Sequence, residues 1–252
     1  MRRALITGAS SGIGREFARI MAEDGWHLVL TGRDRAALDS LAEALGGAEV
    51  MTFDLGQPGA VAQLAQQVTA GDLPLDAVFN NAGFGAIGPF HAIDWPRQAE
   101  LLQVNVVAAT ELVHRLLPAL KRRPRGYILN DASVAGFVPG PFMAVYYASK
   151  AYLLSWSEAL AEELRGTPVT VTALCPGPTR TEFNRRAGIG EAGFSVGSMD
   201  AKSVAMIGYR AMLAGDAIAV AGWRNRALVQ ALRLAPRAFI RRAVRRLQAS
   251  RT

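Results

Sequence analysis

The chain has 252 residues and a net charge of +7; 50% of its residues are hydrophobic, 19% are charged, and Cys175 is the only cysteine. This length can bury one large core, and 25 dispersed glycines with 12 prolines exclude a collagen-like or disordered chain. A single cysteine excludes an internal disulfide and a cysteine zinc site. The first apolar run, which ends at Thr7, is too short for an export signal. No stretch reaches the roughly 20 apolar residues of a membrane span, so we expect a cytoplasmic protein.

The positive charge is concentrated at one end of the chain. No acidic residue follows Asp216, whereas nine arginines lie between Arg224 and Arg251. Without these nine arginines, the chain has 19 basic and 21 acidic side chains. Any partner that positive charge attracts is therefore expected to meet the C-terminal tail.

Short aliphatic runs alternate along the chain with longer stretches of helical periodicity. Runs that are apolar on both faces are typical of strands in a buried parallel sheet. Right-handed crossovers then predict a doubly wound α/β sheet of seven strands, with ligands at the carboxyl ends of the strands. We expect a single Rossmann-type domain over residues 1–222 and a helical extension over 223–252. The predicted strands cover residues 3–7, 27–31, 49–53, 77–80, 126–130, 169–174 and 217–221, and the predicted helices cover 12–24, 34–45, 58–70, 95–122, 145–165 and 201–214.

A glycine-rich turn joins the first strand to the first helix. Its sequence is Thr7-Gly8-Ala9-Ser10-Ser11-Gly12-Ile13-Gly14. Glycines permit a tight turn and let backbone N–H groups approach a pyrophosphate, which the positive end of the helix attracts. A turn that merely needs glycine would have the same composition, but the position between a strand and a helix favours a nucleotide site.

Four further motifs follow the glycine-rich turn in chain order. They are Asn80-Asn81-Ala82-Gly83 after the fourth strand, Asn105 in the long fifth helix, Ser133 ahead of Tyr146-Tyr147-Ala148-Ser149-Lys150, and Pro176-Gly177 with Thr181 after the sixth strand. Together with Thr-Gly-x-x-x-Gly-x-Gly, this series resembles the short-chain dehydrogenase/reductase family, from residue 3 to about residue 215.

The resemblance implies an enzyme that transfers hydride between a nicotinamide dinucleotide and a carbonyl or alcohol substrate. It also implies a homo-oligomer, a dimer formed through the helices around 95–122 and 145–165. The catalytic residues that it implies are Asn105, Ser133, Tyr146 and Lys150. The cofactor-binding residues that it implies are Gly8, Ser10, Ser11, Gly12, Ile13, Gly14, Asp54, Leu55, Asn81, Ala82, Gly83, Tyr146, Lys150, Pro176, Gly177, Thr179 and Thr181.

The end of the second strand predicts which dinucleotide binds. An NAD enzyme usually has an acidic residue there for the ribose 2′-hydroxyl, but this strand ends at Thr31-Gly32 and Arg33 follows. A guanidinium suits a 2′-phosphate, so NADP(H) is predicted over NAD(H) with Arg33 as its ligand. A solvated arginine is the alternative. Asp34 is predicted as the N-cap of the next helix. Arg15 either adds positive potential or lies on the surface.

Carbonyl reduction requires a proton donor as well as hydride, and Tyr146 is the predicted donor. Tyrosine titrates near pH ~10, and a neighbouring cation lowers that pKa. Lys150 lies four residues on, which places it on the same helical face, and we expect it to tune Tyr146 and bind the nicotinamide ribose. Ser133 is predicted to bond the substrate oxygen, and Asn105 to hold a water that links Lys150 to solvent.

Neighbouring residues leave alternatives open. Tyr147 competes with Tyr146 for the catalytic role, although its spacing to Lys150 favours a core or rim position. Asp131-Ala132 stands where the family often has an apolar residue followed by Ser or Gly, so the pH optimum is in doubt.

No metal site is expected. The histidines, His27, His91 and His114, are too scattered for a ligand set. Cys175 is predicted to be a small buried side chain.

The loops above the strand ends are apolar. Residues 136–143, Phe84, Phe183 and Phe194 predict, with the segment 181–199, a lid over a hydrophobic substrate. Packing of these aromatic side chains against the body is the alternative.

The tail predicts a basic amphipathic helix interrupted at Pro236. Docking on the protein's own body or on a second subunit is one interpretation, and peripheral contact with an anionic membrane is another. Nucleic-acid binding is not expected, because aromatic residues are few there.

Two rival functions remain. The first is a non-catalytic NADP(H)-binding sensor or scaffold that acts through the tail. The second is an isomerase or epimerase with transient hydride transfer.

Overall fold

The computed structural model describes residues 1–71, 73–188 and 198–249 of the chain. Its strands are β1 (Arg2–Thr7), β2 (Trp26–Gly32), β3 (Glu49–Thr52), β4 (Ala77–Asn80), β5 (Gly126–Asp131), β6 (Val169–Cys175), β7 (Thr179–Arg180), β8 (Met199–Asp200) and β9 (Ile218–Val220). Its helices are α1 (Gly12–Glu23), α2 (Arg35–Ala44), α3 (Ala60–Ala70), α4 (Trp95–Leu102), α5 (Ala109–Leu120), α6 (Ala144–Glu163), α7 (Phe183–Arg186), α8 (Ala201–Ala214), α9 (Trp223–Leu234) and α10 (Arg237–Ala249).

Seven strands form one parallel sheet in the order β3-β2-β1-β4-β5-β6-β9, while β7 and β8 form a separate pair. Successive side chains of β1 enter opposite layers, as the strand period requires. Leu5 packs in the layer that contains α3 and α5, and Ile6 packs in the layer that contains α1, α2 and α8. The predicted doubly wound seven-stranded α/β fold is confirmed.

The strand order fixes the position of the functional crevice. From β1 the chain proceeds to β2 and β3 on one side, then returns to add β4, β5, β6 and β9 on the other. A crevice opens between β1 and β4, where the direction reverses, at the carboxyl ends of the strands. Thr7 and Asn80 end these two strands, so both predicted motifs meet there.

Local sequence signals set several helix ends. Asp34 precedes α2, and its carboxylate accepts a hydrogen bond from the Ala37 amide at 3.0 Å, which confirms the predicted N-cap. Asp200 caps α8 in the same way through the Ser203 amide at 2.8 Å. Gly215 ends α8 in the left-handed conformation, with φ of +79°, which favours glycine.

The predicted helix over 95–122 is interrupted. Between α4 and α5, residues Gln103–Ala108 form a π-helical turn, and its extra residue shifts the side-chain register of the helix. Hydrophobic periodicity alone did not show this turn. The structure also adds the short pair β7–β8 and the helix α7 around the segment predicted as a lid.

The tail consists of two helices that break at Pro236, as the sequence predicted. Ala235 adopts an extended conformation, which a following proline favours. Val229 of α9 and Ile240 of α10 are buried. In the described part of the chain, no helix is both long and apolar enough to span a membrane.

Candidate active site

The glycine-rich turn is clamped from the neighbouring strand. Asn81 donates from its side-chain amide to the backbone oxygens of Thr7 at 2.9 Å and Gly8 at 3.0 Å. The Thr7 hydroxyl accepts from the Asn81 and Ala82 amides, each at 3.0 Å. The Asn-Asn-Ala-Gly motif therefore fixes the shape of the turn through contacts that only the β1–β4 pairing makes possible.

Asn80 stabilises the sheet beneath this turn. Its side-chain amide donates to Asn130 on β5 at 2.9 Å, and Asn130 donates to the Ser157 hydroxyl on α6 at 2.9 Å. All three side chains are buried, and each finds a polar partner, as buried polar groups require. This chain of bonds joins β4, β5 and the helix that carries Tyr146.

Two glycines of the turn leave no room for a side chain. A Cβ on Gly8 would lie 2.8 Å from the Asn81 amide nitrogen, and one on Gly14 would lie 2.6 Å from the Gly8 oxygen. Ser11 is the N-cap of α1 but makes no capping bond with its own side chain, and no acidic residue occupies the first turn. The first amides of α1 therefore face an anion-binding position, which fits a dinucleotide pyrophosphate.

A cleft of about 470 Å³ opens above this turn. The predicted cofactor-binding residues that line it are Gly8, Ser10, Ser11, Gly12, Ile13, Arg33, Asp54, Leu55, Asn81, Ala82, Gly83 and Thr181. Gly14 lies beneath the turn, and Tyr146 with Lys150 belongs to the reaction centre on α6. The remaining predicted residues, Pro176, Gly177 and Thr179, are not among the lining residues.

Sequence reasoning missed part of the cleft wall. Arg97 and Val104 line the cleft as well, and no motif marked them; Glu182, which also lines it, lies in the segment 181–199 predicted as a lid. Phe53 also lines it and directly precedes Asp54, so the end of the third strand was the available signal.

Arg33 lies at the cleft but already has an acidic partner. Its guanidinium forms an ion pair with Glu100 at 3.1 Å, and its side chain is 60% exposed. An exposed pair of this kind contributes about 0–1 kcal/mol, so the guanidinium can exchange partners. Arg15 instead donates to the backbone oxygen of Ser10 and so braces the turn.

The reaction centre lies where β5 ends and α6 begins. Tyr146 is partly buried, and the Ser133 side chain lies close enough to its phenol to influence the pKa of that phenol. The Lys150 ammonium lies 5.9 Å from the centre of the Tyr146 ring. Ser133 also accepts a bond from the Ala135 amide at 3.1 Å, which orients its hydroxyl. The structure thus brings these three predicted catalytic side chains together.

Asp131 changes the electrostatics of this centre. Lys150 donates to the Asp131 backbone oxygen, and its ammonium lies 3.7 Å from the Asp131 carboxylate. Burial raises the pKa of Asp131 to about 6, although the neighbouring Lys150 charge opposes this. One carboxylate oxygen of Asp131 is buried without a hydrogen-bond partner, and the residue lines the cleft.

The expected lowering of the Tyr146 pKa by Lys150 is corrected here. Among the protein's own groups, burial raises the pKa of Tyr146, the Asp131 charge raises it further, and the Ser133 hydrogen bond opposes both. The lysine charge is directed toward Asp131 instead of the phenol. Tyr146 is therefore held in its protonated form at neutral pH.

Asn105 lies in the π-helical turn, where its side chain points inward. Its amide donates to the Phe84 oxygen at 3.0 Å and to the Ser149 hydroxyl at 3.1 Å, and its oxygen accepts from the Phe84 amide at 3.1 Å. The side chain is thus fully engaged with protein. A Cβ on Gly83 would lie 3.1 Å from this oxygen and 3.8 Å from the Lys150 ammonium. Asn105 therefore fixes the loop that passes beside Lys150.

Apolar side chains flank the reaction centre. Phe183 lies 5.2 Å from Tyr146 between ring centroids, and Met143 with Ala187 is buried beside them. Phe84 and Phe183 both line the cleft, whereas Phe194 lies outside the described residues.

Tyr147 contacts the tail. Its hydroxyl accepts a hydrogen bond from the Gln248 amide of α10 at 2.6 Å, which favours a rim position over a catalytic one. Cys175 is fully buried, as predicted, and burial raises the pKa of its thiol to about 12.

Comparison with known proteins decides the family. A model of the short chain dehydrogenase family matches residues 2–192 of this chain. The chain belongs to the short chain dehydrogenase family. It is 35% identical over 178 residues to the very-long-chain 3-oxoacyl-CoA reductase of Laccaria bicolor, a match that covers 68% of this chain and 53% of that protein.

Solved structures of this family give the same fold. A short-chain dehydrogenase from Sphingobium yanoikuyae in complex with NADPH superposes with a TM-score of 0.85 at 32% identity, covering 92% of each chain. A short chain dehydrogenase/reductase from Burkholderia phymatum in complex with NAD has a TM-score of 0.81 at 29% identity, covering 91% of this chain and 92% of that one. Family membership supports an oxidoreductase with a nicotinamide dinucleotide cofactor.

Proposed function

We propose that this chain is an NADP(H)-dependent oxidoreductase that interconverts a ketone or aldehyde with an alcohol. The observation that carries the proposal is the grouping of Tyr146, Ser133 and Lys150 beside the cleft of the glycine-rich turn, with 5.9 Å between the Lys150 ammonium and the centre of the Tyr146 ring. The dinucleotide, when bound, supplies the hydride. The protein supplies the proton and stabilises charge on the substrate oxygen.

Tyr146 is the general acid in reduction. Its raised pKa keeps the phenol protonated at neutral pH, which suits donation of a proton to a carbonyl oxygen. The Ser133 hydroxyl donates to the same oxygen as negative charge develops. Lys150 balances the Asp131 carboxylate and binds the nicotinamide ribose. The Asn105 side chain holds the loop at Phe84 and the Ser149 hydroxyl, and so positions the segment beside Lys150.

NADP(H) is the proposed cofactor because Arg33 stands where an NAD enzyme has an acid. The guanidinium lines the cleft, and its present partner, Glu100, holds it only through an exposed ion pair. A 2′-phosphate offers a stronger, charge-assisted contact. Relatives of this chain bind either NADPH or NAD, so the residues at this position carry the argument.

A hydrophobic ketone or acyl group is the proposed substrate. The wall beside Tyr146 includes the apolar side chains of Met143 and Phe183 and the ring of Tyr147. The Laccaria bicolor relative, named for a very-long-chain 3-oxoacyl-CoA, agrees with an apolar substrate. A screen in which only polar carbonyl compounds react would contradict this part of the proposal.

A homodimer through α4, α5 and α6 is proposed as well. Leu102 and Val107 are exposed on the first of these helices and the π-helical turn, and Tyr152 on α6 stacks on Trp156. Large apolar side chains exposed together on a surface are typical of protein interfaces. The rival sensor and epimerase functions gain no support.

The test compares wild type with Tyr146→Phe, in which only the phenolic oxygen is removed. Consumption of NADPH and NADH is followed with a panel of apolar and polar ketones and aldehydes. We expect turnover with apolar ketones, faster with NADPH, and a loss of roughly a hundredfold to ten-thousandfold in kcat for the variant, the usual contribution of a general acid. NADPH binding, measured by calorimetry, stays within about threefold. Equal turnover by the variant would contradict the assignment.

A further inference from the structure

Large apolar side chains are exposed together on the tail. Of the eleven large hydrophobic side chains that are exposed among the described residues, five lie on α9 and α10. These are Trp223 (74% exposed), Leu228 (50%), Leu234 (90%), Phe239 (65%) and Leu247 (53%). We call the exposed faces of α9 and α10 the tail surface.

Helix α9 has a second apolar face that the body does not cover. Its inner face is held by Val229, which is 3% exposed. On the opposite side, Trp223, Ala227, Ala231 and Leu234 follow one another at helical spacing, and all four are exposed. Packing of the tail against its own body therefore explains the burial of only one face of α9.

The same surface carries unpaired positive charge. Arg224, Arg226, Arg233, Arg237, Arg241, Arg242, Arg245 and Arg246 are all exposed. None of these eight takes part in an ion pair with a described residue of the chain. No acidic residue occurs in the sequence after Asp216 to neutralise them.

We propose that the tail surface docks on an anionic lipid bilayer. Trp223, Leu234 and Phe239 enter the boundary between headgroups and acyl chains, and the arginines beside them bind lipid phosphates. The long apolar stems of arginine suit this position, because they cover apolar surface while the guanidinium stays in water. Interfacial apolar insertion and charge attraction thus act on the same two helices.

Other occupants fit less well. A second copy of this chain docked face to face would bring eight arginines against eight more, with no acidic residue between them. A nucleic acid would pair with the arginines and could stack on Trp223 and Phe239, but it would leave Leu228, Leu234 and Leu247 exposed to water. A lipid surface is the partner that uses both the charge and the aliphatic side chains.

The tail surface also adjoins the reaction centre. Gln248, near the end of α10, is buried and bonds the Tyr147 hydroxyl, and Tyr147 lies beside Tyr146 with 6.0 Å between ring centroids. At the other end of the tail, Asn225 packs against Gly177, where a Cβ would lie 2.4 Å from the amide nitrogen. A protein docked through the tail surface therefore holds its apolar substrate wall next to the bilayer. The docking itself does not depend on the proposed reaction.

Vesicle flotation at physiological salt tests the proposal. The purified full chain is mixed with vesicles of phosphatidylcholine alone or of phosphatidylcholine and phosphatidylglycerol in equal parts. We expect binding to the anionic vesicles only, weakened by roughly a hundredfold in Arg233→Gln/Arg242→Gln/Arg246→Gln, which removes three charges from the tail surface. The pair Trp223→Ser/Leu234→Ser keeps the charge and loses the insertion, so its binding also falls.

A matched control removes the same charge elsewhere. Lys121→Gln/Arg122→Gln/Arg210→Gln alters three exposed cations outside the tail, and we expect it to bind anionic vesicles as wild type does. A thermal melt of each variant checks that the fold is intact. Absence of wild-type binding to anionic vesicles overturns the proposal, as does equal loss in the control. Displacement of the protein from vesicles by an equimolar DNA duplex would instead assign the tail to nucleic acid.

Discussion

Among the side chains that surround Tyr146, Asp131 is the unusual one. A carboxylate beside the lysine neutralises the cation that would otherwise favour the phenolate. The pKa of Tyr146 is raised first by burial and next by the Asp131 charge. At the residue scale, the pH range of the enzyme is therefore expected to depend on a side chain that does not touch the substrate oxygen.

Asp131→Asn tests this dependence, because it removes the charge and keeps the size. The pKa of Tyr146 falls in the variant, so the loss of reductase activity at high pH begins at a lower pH than in wild type. An inflection near pH 6, from the titration of Asp131 itself, disappears at the same time. The measurement is kcat/KM for an apolar ketone across the pH range. Asp216→Asn, an exposed acid far along the chain, is the matched control. Identical profiles for Asp131→Asn and wild type would show that Asp131 has no such role.

At the scale of elements, the connection between β2 and α2 combines two functions in adjacent residues. Asp34 caps the helix, and Arg33 before it lines the cleft, where it pairs with Glu100. Arg35, one residue inside the helix, forms an ion pair with Asp39 at 2.7 Å and does not line the cleft. Arg33 and Arg35 have similar exposure, but only Arg33 lines the cleft, because the cap fixes where the helix begins.

Arg33→Ser tests the cofactor preference, with Arg35→Ser as its control. Loss of a charge-assisted bond costs about 1.5–3 kcal/mol, so KM for NADPH rises by roughly tenfold to a hundredfold. KM for NADH changes little, because NADH has no 2′-phosphate. Arg35→Ser leaves both values as in wild type. Steady-state kinetics with both cofactors measures this, and an equal rise for NADPH and NADH would count against the 2′-phosphate contact.

At the scale of the whole molecule, the carboxyl and amino ends of the sheet strands differ in function. The carboxyl ends carry the site, and the amino ends are joined by Arg3, which is 1% exposed. Its guanidinium bonds Glu49 of β3 at 2.8 and 3.1 Å, the Val68 oxygen of α3 at 2.7 Å and the Leu73 oxygen at 2.9 Å. A buried cation with complete partners stabilises the position of the segments around it, but loss of one partner leaves it uncompensated.

Glu49→Gln tests this arrangement through stability. Burial alone would raise the pKa of Glu49, but hydrogen bonds from Arg3 and His27 outweigh burial and lower it below 4.5. A lowered folded pKa means that the stabilisation is present above pH 4.5 and is lost as pH falls through the folded value. We expect a loss of about 1–2 kcal/mol at pH 7, since the Glu49 side chain is partly exposed. The difference in the free energy of unfolding between Glu49→Gln and wild type becomes smaller at acidic pH.

Urea denaturation at neutral and acidic pH measures the effect of Glu49→Gln. Glu43→Gln, an exposed substitution on α2, changes the charge by the same amount and leaves stability within about 0.5 kcal/mol. A pH-independent difference between Glu49→Gln and wild type would argue against an ionic origin.

The sequence by itself determined the features that depend on local spacing. Alternating apolar runs predicted all seven strands of the main sheet, and Pro236 predicted the break in the tail. Asp34 was identifiable as a cap because N-caps obey short-range rules. The ordered motifs identified the family and its glycine-rich turn. The π-helical turn around Asn105 was not identifiable, because one inserted residue barely alters a hydrophobic period.

The tertiary structure alone decided the electrostatics of the site. Asp131 was visible in the sequence as a departure, but its charge balance with Lys150 depends on a distance and on burial. Arg33 and Glu100, like Tyr147 and Gln248, are far apart in the chain and meet only after the sheet and tail assemble. The energy of a charge interaction depends on the distance between the groups and on the surrounding solvent, and the spacing of residues in the sequence gives neither. The sequence was thus enough to predict the chemistry of the motifs, whereas the protonation of their side chains depended on the three-dimensional structure.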